Sequence, residues 1–363
     1  MHGVRNNAVK HGMLAALAAV ALGAPAYGAG LEGLAGVKAN GYIEAQYNYN
    51  LNAPQDGLNP GRVFDFTANS FTGNMAELAL TKSTDKGLGF GLVLNYGQDA
   101  RFLDTGTPGS PVFVQQAYVM DRVFGDTVDL KFGKLATLAG AEVIEGPANF
   151  NISRSFLFGL AIPFTHTGLR AGIGTGMKNM SLTLGLNNGW DNDVDSSGSG
   201  KTLEAQVGMN PTDTVSLLLT GYYGDEASTT VDQDKRGLLD LVATLKPTDG
   251  VTVVFNYDRG SQATPTNGTE LWQGYALYGN FAVGDKHAVS ARYEYFDDND
   301  GARTSTPVSV RELTLTYSCK MKENLEWRAE LRHDEANQDA FEEDDGTPTD
   351  SQNTIAVAAY YSF

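Results

Sequence analysis

The sequence predicts an all-β protein: a transmembrane antiparallel up-and-down β-barrel of about sixteen strands, with an inward-folded loop after strand 5. Three observations carry that reading. Bulky apolar residues alternate with small or polar ones in segments of about ten residues, which is the pattern of a strand that faces lipid on one side and water on the other. The gaps between segments are short and long by turns. The final segment alternates up to an aromatic residue at position 363.

Taken in order, the chain opens with Arg5 and Lys10 and no acid before the apolar run Met13 to Leu22, followed by Ala24-Pro25-Ala26 and Ala26-Tyr27-Gly28. The run is too short to span a bilayer as a helix. A positive start, a short apolar stretch and a small-x-small site together read as a secretory signal peptide. Residues 1–28 are therefore assigned to the signal and residues 29–363 to the outer-membrane barrel.

Sixteen segments follow, at about 37–49, 70–82, 88–97, 112–122, 126–136, 164–174, 177–187, 201–210, 213–224, 236–246, 250–259, 270–281, 287–296, 307–319, 324–333 and 352–363. Leu88, Phe90, Leu92, Leu94 and Tyr96 show the alternation, as do Val251, Val253, Phe255 and Tyr257, or Leu325, Trp327, Ala329 and Leu331. Segments 112–122 and 270–281 do not declare an apolar face, so fourteen to eighteen strands are compatible with the pattern. Short turns such as Phe124-Gly125-Asp126 and Gly284-Asp285-Lys286 separate long gaps at 50–69, 98–111, 137–163, 188–200, 225–235, 260–269, 297–306 and 334–351. An even count places both ends of the barrel on the short-turn side. A soluble sandwich would share the alternation but not the matched rhythm of gaps.

The last segment places Ile355, Val357, Tyr361 and Phe363 on one face. In water such an edge invites aggregation, whereas a closing strand in lipid needs it. Tyr361 and Phe363 are thus the expected barrel-closing C-terminal signal, of the kind read by barrel-assembly machinery. Composition agrees. The net charge of −17 becomes −19 once Arg5 and Lys10 are removed with the signal, which excludes binding driven by nucleic-acid phosphates. A single cysteine, Cys319, excludes an internal disulfide framework or a cysteine metal cluster. No cofactor or metal is expected.

With the bulky faces toward lipid, the intervening residues line the lumen. These include Lys131, His166, Arg292, Glu294, Glu326, Arg328, Glu330 and Arg332, together with Lys38, Glu44, Glu77, Asp129, Glu204, Asp240 and Glu312. An Arg or Lys on the lipid face would cost roughly 2–4 kcal/mol near the midplane, so Leu alternating with charge implies a wet interior. The gap 137–163 is too apolar for a free loop, with Val143, Ile144, Phe150, Phe156, Leu157 and Phe158. Folded inward, it would set Glu142, Glu145 and Arg154 as a constriction against wall cations such as Arg170, and opposed charges across a narrow gap sort solutes by charge. The alternative for the same loop is an outer lid or subunit latch.

Phe132-Gly133-Lys134, Gly140-Ala141-Glu142, Asn149-Phe150-Asn151, Ser153-Arg154-Ser155, the run Pro163 to Arg170 and Asn187-Asn188-Gly189-Trp190-Asp191 resemble the OmpL-like β-barrel porin family. The resemblance is dense over about 130–192 and implies an outer-membrane porin, without assigning a substrate or site residues; passive diffusion of ions and small hydrophilic solutes is what the wet interior leads one to expect. Outer-membrane lipid and lipopolysaccharide are the expected surroundings, and a homotrimer fits this size. A surface receptor or adhesin with a closed lumen is the alternative function. Catalysis by Ser153 or Ser155 with His166 is disfavoured, since neither serine has a Gly-x-Ser-x-Gly setting. Asp191, Asp193 and Asp195 space carboxylates like the start of a calcium loop, but Ser196 and Thr202 stand where Gly and Glu are required.

Overall fold

The computed structural model describes residues 36–363 apart from 86, 104–108, 126, 196–199, 227–234 and 265–267. The assigned signal peptide lies outside the described residues. The barrel strands are β1 Lys38–Asn50, β2 Ser70–Ser83, β3 Gly89–Tyr96, β4 Val112–Val123, β5 Val128–Ala136, β6 Thr165–Ile173, β7 Met180–Asn187 and β8 Thr202–Thr212. They continue with β9 Val215–Asp225, β10 Lys235–Thr248, β11 Val251–Thr264, β12 Gly268–Val283, β13 His287–Asp298, β14 Val308–Lys322 and β15 Leu325–Ala336. A two-residue ladder, β16 Phe341–Glu342 with β17 Pro348–Thr349, precedes the last strand, β18 Ser351–Ser362.

The described strands form one closed, antiparallel, sixteen-stranded barrel in which each strand pairs with its sequence neighbour and β1 pairs with β18. Closure leaves no unpaired edge, which is what lets a sheet cross a bilayer. No helix among the described residues is long and apolar enough to cross one. At the seam Ile43 opposes Tyr361, whose ring is on the outer face, and the backbones of Gly41 and Phe363 exchange two hydrogen bonds of 3.0 Å.

Side-chain direction follows the alternation. Leu219, Leu239, Leu277, Leu313, Leu315, Tyr317, Trp327 and Leu331 are exposed on the outer face, while their neighbours Thr220, Asp240, Thr314, Thr316, Arg328 and Arg332 are buried inside. Strand β4 hid its face in the sequence because a bulge interrupts it. Val93 opposes Gln116 but Leu94 opposes Val114, so the inward parity changes at Gln115. Strand β12 hid its face for another reason: its inward residues Trp272, Ala276 and Tyr278 are apolar too, and are covered from within the barrel.

The short connections, among them 213–214, 249–250 and 284–286, lie at one end, and the described parts of the long loops at the other; loops are numbered in chain order. The loops that matter here are L1 (51–69), L2 (97–111), L3 (137–164), L4 (188–201), L7 (299–307) and L8 (337–350). The expected long gap at 260–269 is instead a strand extension, with β11 and β12 paired out to Thr264 and Gly268.

L3 enters the barrel after β5, but it does not enter alone. Arg62 of L1 is buried, donating to Asp334 of β15 at 2.6 and 3.0 Å and to Thr354 of β18 at 3.2 Å, and it also pairs with Asp65. Phe64 of L1 packs on Phe158 and Phe164 of L3, with ring centroids 5.6 and 6.3 Å apart. In L2, helix α1 (Gln98–Leu103) buries Asp99, Ala100 and Leu103, and Asn74 of β2 joins it to L1 by donating to Asp99 and to the Phe64 carbonyl. Three loops thus fill one side of the lumen around an aromatic cluster.

Candidate pore constriction

The constriction begins where β5 ends. Thr137 N–H bonds to the Phe164 carbonyl and closes the base of L3. Tyr222 of β9 accepts from Leu138 N–H at 2.9 Å, and Gln206 of β8 donates to the Leu138 carbonyl at 2.9 Å. From that root the loop crosses the lumen. Ala141 N–H reaches Asn256 of β11, Gly146 N–H reaches Tyr42 of β1, and Glu145 accepts from Gln115 of β4 at 2.7 Å. Gly146 suits this crossing because a Cβ there would collide with Glu44 and Tyr360.

The loop holds its own shape with the residues first read as pore charges. Arg154 donates to the carbonyls of Val143, Ile144 and Ile152, so its guanidinium clamps two stretches of L3 together. Glu142 accepts from the backbone and hydroxyl of Ser155 and from Arg292. Both side chains are buried, Glu142 at 5% exposure and Arg154 at 3%, so they do not stand on the open side of the loop. A backbone that leaves the sheet needs partners for its amides and carbonyls, and these two side chains supply them.

The barrel wall supplies the rest. Glu294 accepts from Phe156 and Leu157 N–H at 2.7 and 2.6 Å, and Glu330 accepts from Ile152 and Ser153 N–H at 2.6 and 2.9 Å. Arg328 donates to the carbonyls of Gly146, Pro147 and Asn151, and Arg332 to that of Arg154. Arg292 joins Glu142 of the loop to Glu312 of the wall, each at 2.7 Å. The Glu/Arg alternation of β15 is therefore a docking ladder for L3: carboxylates take its amides and guanidiniums take its carbonyls. All these side chains lie on the inner face of the barrel. Arg292, Glu294, Glu330 and Arg332 are covered by the loop, and Glu326, more open, pairs with Arg328 at 2.7 Å.

Besides β1 and the β11–β18 side, the loop is tied to β8 and β9 at Leu138 and to β4 at Glu145, so β5 to β7 are wall strands to which it makes no bond among the described residues. There Lys131 and Arg170 are direct cross-strand partners, both inward. Like charges placed so are unfavourable unless neighbours compensate. Arg170 is compensated by Glu204, which it grips at 2.6 and 3.0 Å. Lys131 makes no ion pair among the described residues; its ammonium lies 4.9 Å over the Tyr118 ring. On the loop, Val143, Glu145 and Phe150 stay partly exposed. His166 stacks on Tyr222 at 4.8 Å and contacts the Gly189 carbonyl, while Ser153 and Ser155 are engaged by Arg292 and Glu142. The short-turn side of L3 closes over a polar vestibule of about 720 Å³ that Lys246, Lys320, Glu326 and Arg328 help to line.

A second lock, which no pattern announced, ties L3 to L4 and L7. Arg303 donates to the Leu160 carbonyl at 2.6 Å and lies over Trp190 and Trp272, and Trp272 donates to the Ala161 carbonyl. Asp191 accepts from Phe164 and Thr165 N–H at 2.6 and 2.9 Å. Burial pushes its carboxyl up to about 6, against the pull of those two N–H groups. Asp193 pairs with Lys134 and Asp195 with Lys201, so the three carboxylates that resemble a calcium loop serve separate partners.

Residues 36–363 match the family described as Putative beta-barrel porin-2, OmpL-like. No curated relative matches the sequence. Among solved structures, the outer membrane channel DcaP of Acinetobacter baumannii is similar with a TM-score of 0.63 at 13% identity, over 92% of this chain and 100% of that one. The anion-selective porin from Comamonas acidovorans gives 0.63 at 12% identity, over 90% and 99%. The trimer form of OmpT of Vibrio cholerae gives 0.61 at 14% identity, over 90% and 99%. At these identities the likeness concerns the fold.

Proposed function

The chain belongs to the OmpL-like beta-barrel porin family and is an outer-membrane porin, and from that premise we propose that ions and small hydrophilic solutes diffuse through it passively, between L3 and the wall of β5 to β7. The observation that carries this is where L3 docks. The loop bonds to β1, β4, β8, β9, β11, β13 and β15, and leaves without a bond the sector of β5 to β7 that holds Lys131 and Arg170. The long loops would then face outward and the vestibule the periplasm.

Charges that flank this passage nearly cancel. Arg170 and Glu204 neutralise each other, and Lys131 stands two residues from Asp129 on the same strand. The expected pore is therefore weakly selective, although the whole chain is acidic. Glu142 and Arg154 serve it indirectly, by keeping the loop in shape. Ser153, Ser155 and His166 are each held by other partners, which supports a channel rather than an enzyme. A homotrimer is supported by the likeness to the trimer form of OmpT, and lipopolysaccharide and assembly factors are partners implied by the location.

The test is single-channel recording in a planar bilayer with protein refolded without residues 1–28. Stepwise conductance with a small reversal potential in a salt gradient is expected, and Glu145→Gln should move that potential toward anion preference. An inserted, heat-modifiable barrel without current would overturn the reading and favour a surface receptor.

A further inference from the structure

At the long-loop end the lumen contains something that a polar passage does not need, a preformed apolar pocket of about 270 Å³. Its walls come from five parts of the chain: Pro60 of L1, Phe156 and Leu160 of L3, Phe296 of β13, Val310 of β14 and Phe341 of L8. Phe296, Val308 and Val310 occupy inward positions, where the rest of β13 and β14 carries Ser290, Arg292, Glu294, Glu312, Thr314 and Thr316. The interior is thus apolar at the level between Glu294 and Asp298, and L3 does not fill the space so made.

The walls are held in place. Phe156 lies between Gly61, where a Cβ would come within 2.8 Å of its ring, and the Arg332 guanidinium 4.9 Å from its centroid. Gly61 has a φ of +74°, so L1 needs glycine there both for its turn and for this approach. Phe296 is fully buried. Polar atoms are confined to the rim, at Thr304, Thr306, Gln338 and Asp339. A rigid apolar cavity with a few polar groups at its mouth is the usual build of a small-molecule site.

We propose that this pocket binds an uncharged aromatic solute with a hydroxylated head, the rings against Leu160 and Phe341 and the hydroxyls at the Gln338–Asp339 rim, since Thr304 is already bonded to Asp298 and the Thr306 carbonyl. The size decides the ring count. An apolar cavity of about 150 Å³ holds one benzene, so about 270 Å³ takes a two-ring aromatic. Charge decides against anionic aromatics: no Arg or Lys lines the pocket, and Arg332, beside Phe156, is already committed to Asp334 and the Arg154 carbonyl. Because Phe156 and Leu160 belong to L3, the occupant would sit directly on the loop that shapes the passage.

The probe is 2-naphthyl β-D-glucopyranoside, titrated by fluorescence anisotropy against the protein in lipid nanodiscs, with empty nanodiscs as the blank. This readout needs no current, so its failure is separate from a failure of the porin reading. Saturable binding, weakened at least tenfold by Phe341→Ser and unaffected by an excess of glucose, is expected. Phe341 sits in L8 and anchors none of the L3 bonds, and a second variant, Val310→Ser, repeats the test from the wall. Binding no greater than that of empty nanodiscs would overturn the proposal. So would saturable binding that both variants leave unchanged.

Discussion

Lys131→Gln removes the one cation of the proposed passage that makes no ion pair among the described residues, at little structural risk, since the ammonium's described contact is with the Tyr118 ring. An ion passing about 5 Å from this charge in water feels ~0.8 kcal/mol, and screening at 0.1 M salt leaves about 0.5 kcal/mol. That shifts the local concentration of a monovalent ion about twofold, upward for cations and downward for anions. The two shifts multiply, so the cation-to-anion permeability ratio should rise roughly fivefold. Arg170 would not serve as well, because its loss also strands Glu204. The assay is the reversal potential in a tenfold salt gradient across a planar bilayer, compared at 0.1 M and 1 M on the dilute side, since screening should erase most of the effect at high salt. A channel that conducts normally but shifts its ratio by less than about 1.5-fold would mean that ions do not pass Lys131, and the passage would have to be placed elsewhere in the lumen.

Two further outcomes follow from the anchoring of L3. Arg292→Leu leaves Glu142 buried opposite an apolar group, a change that costs about 3–5 kcal/mol at such sites. Trypsin, which should spare the buried Arg154 in the parent barrel, should then cut there, and adding Glu142→Gln should restore much of the resistance; cleavage unaffected by either change would refute the anchor. The Asp191 carboxyl is raised to about 6, above its unfolded value near 4, so the folded state holds its proton more tightly. Its contribution is greatest below about pH 4 and is lost as pH rises through 6, by roughly 3 kcal/mol. The Phe164 and Thr165 amides should therefore exchange faster at pH 8 than at pH 5 after correction for intrinsic rates, and Asp191→Asn should flatten that difference; equal protection at both values in the parent would contradict it.

The barrel itself was legible because its code is local. Every second residue answers to lipid or to the interior, and Leu325, Trp327 and Leu331 against Glu326, Arg328 and Arg332 state that choice without ambiguity. Two segments hid their apolar face for opposite reasons: β4 changes parity at Gln115, and β12 is apolar on both faces because L3 covers its inner one. What alternation cannot encode is depth. A glutamate that faces water and a glutamate that receives two loop amides look alike, so Glu294 and Glu330 read as pore lining although they are docking groups. The same limit hid the inward course of L1, although Val63-Phe64-Asp65-Phe66 in a supposed outer loop was a usable signal. In L3 the excess of Phe and Ile was informative, because an apolar loop must be buried somewhere. Its charged residues were less so, since Arg154 and Glu142 spend their charge inside the loop.

The docking ladder also has a consequence in time. Glu294, Glu330, Arg332 and Arg328 lie 137 to 182 residues after the loop positions they hold. Contacts so distant in sequence form only after the intervening chain has been ordered, because loop closure must be paid for before they reward it. While the early strands are being laid down, L3 lacks most of its acceptors and donors and has no reason to cross the lumen. The narrow passage is thus a late product of assembly, completed when β13 and β15 arrive. A barrel stalled before that point would enclose the same circle of strands, but with a wider and less discriminating hole.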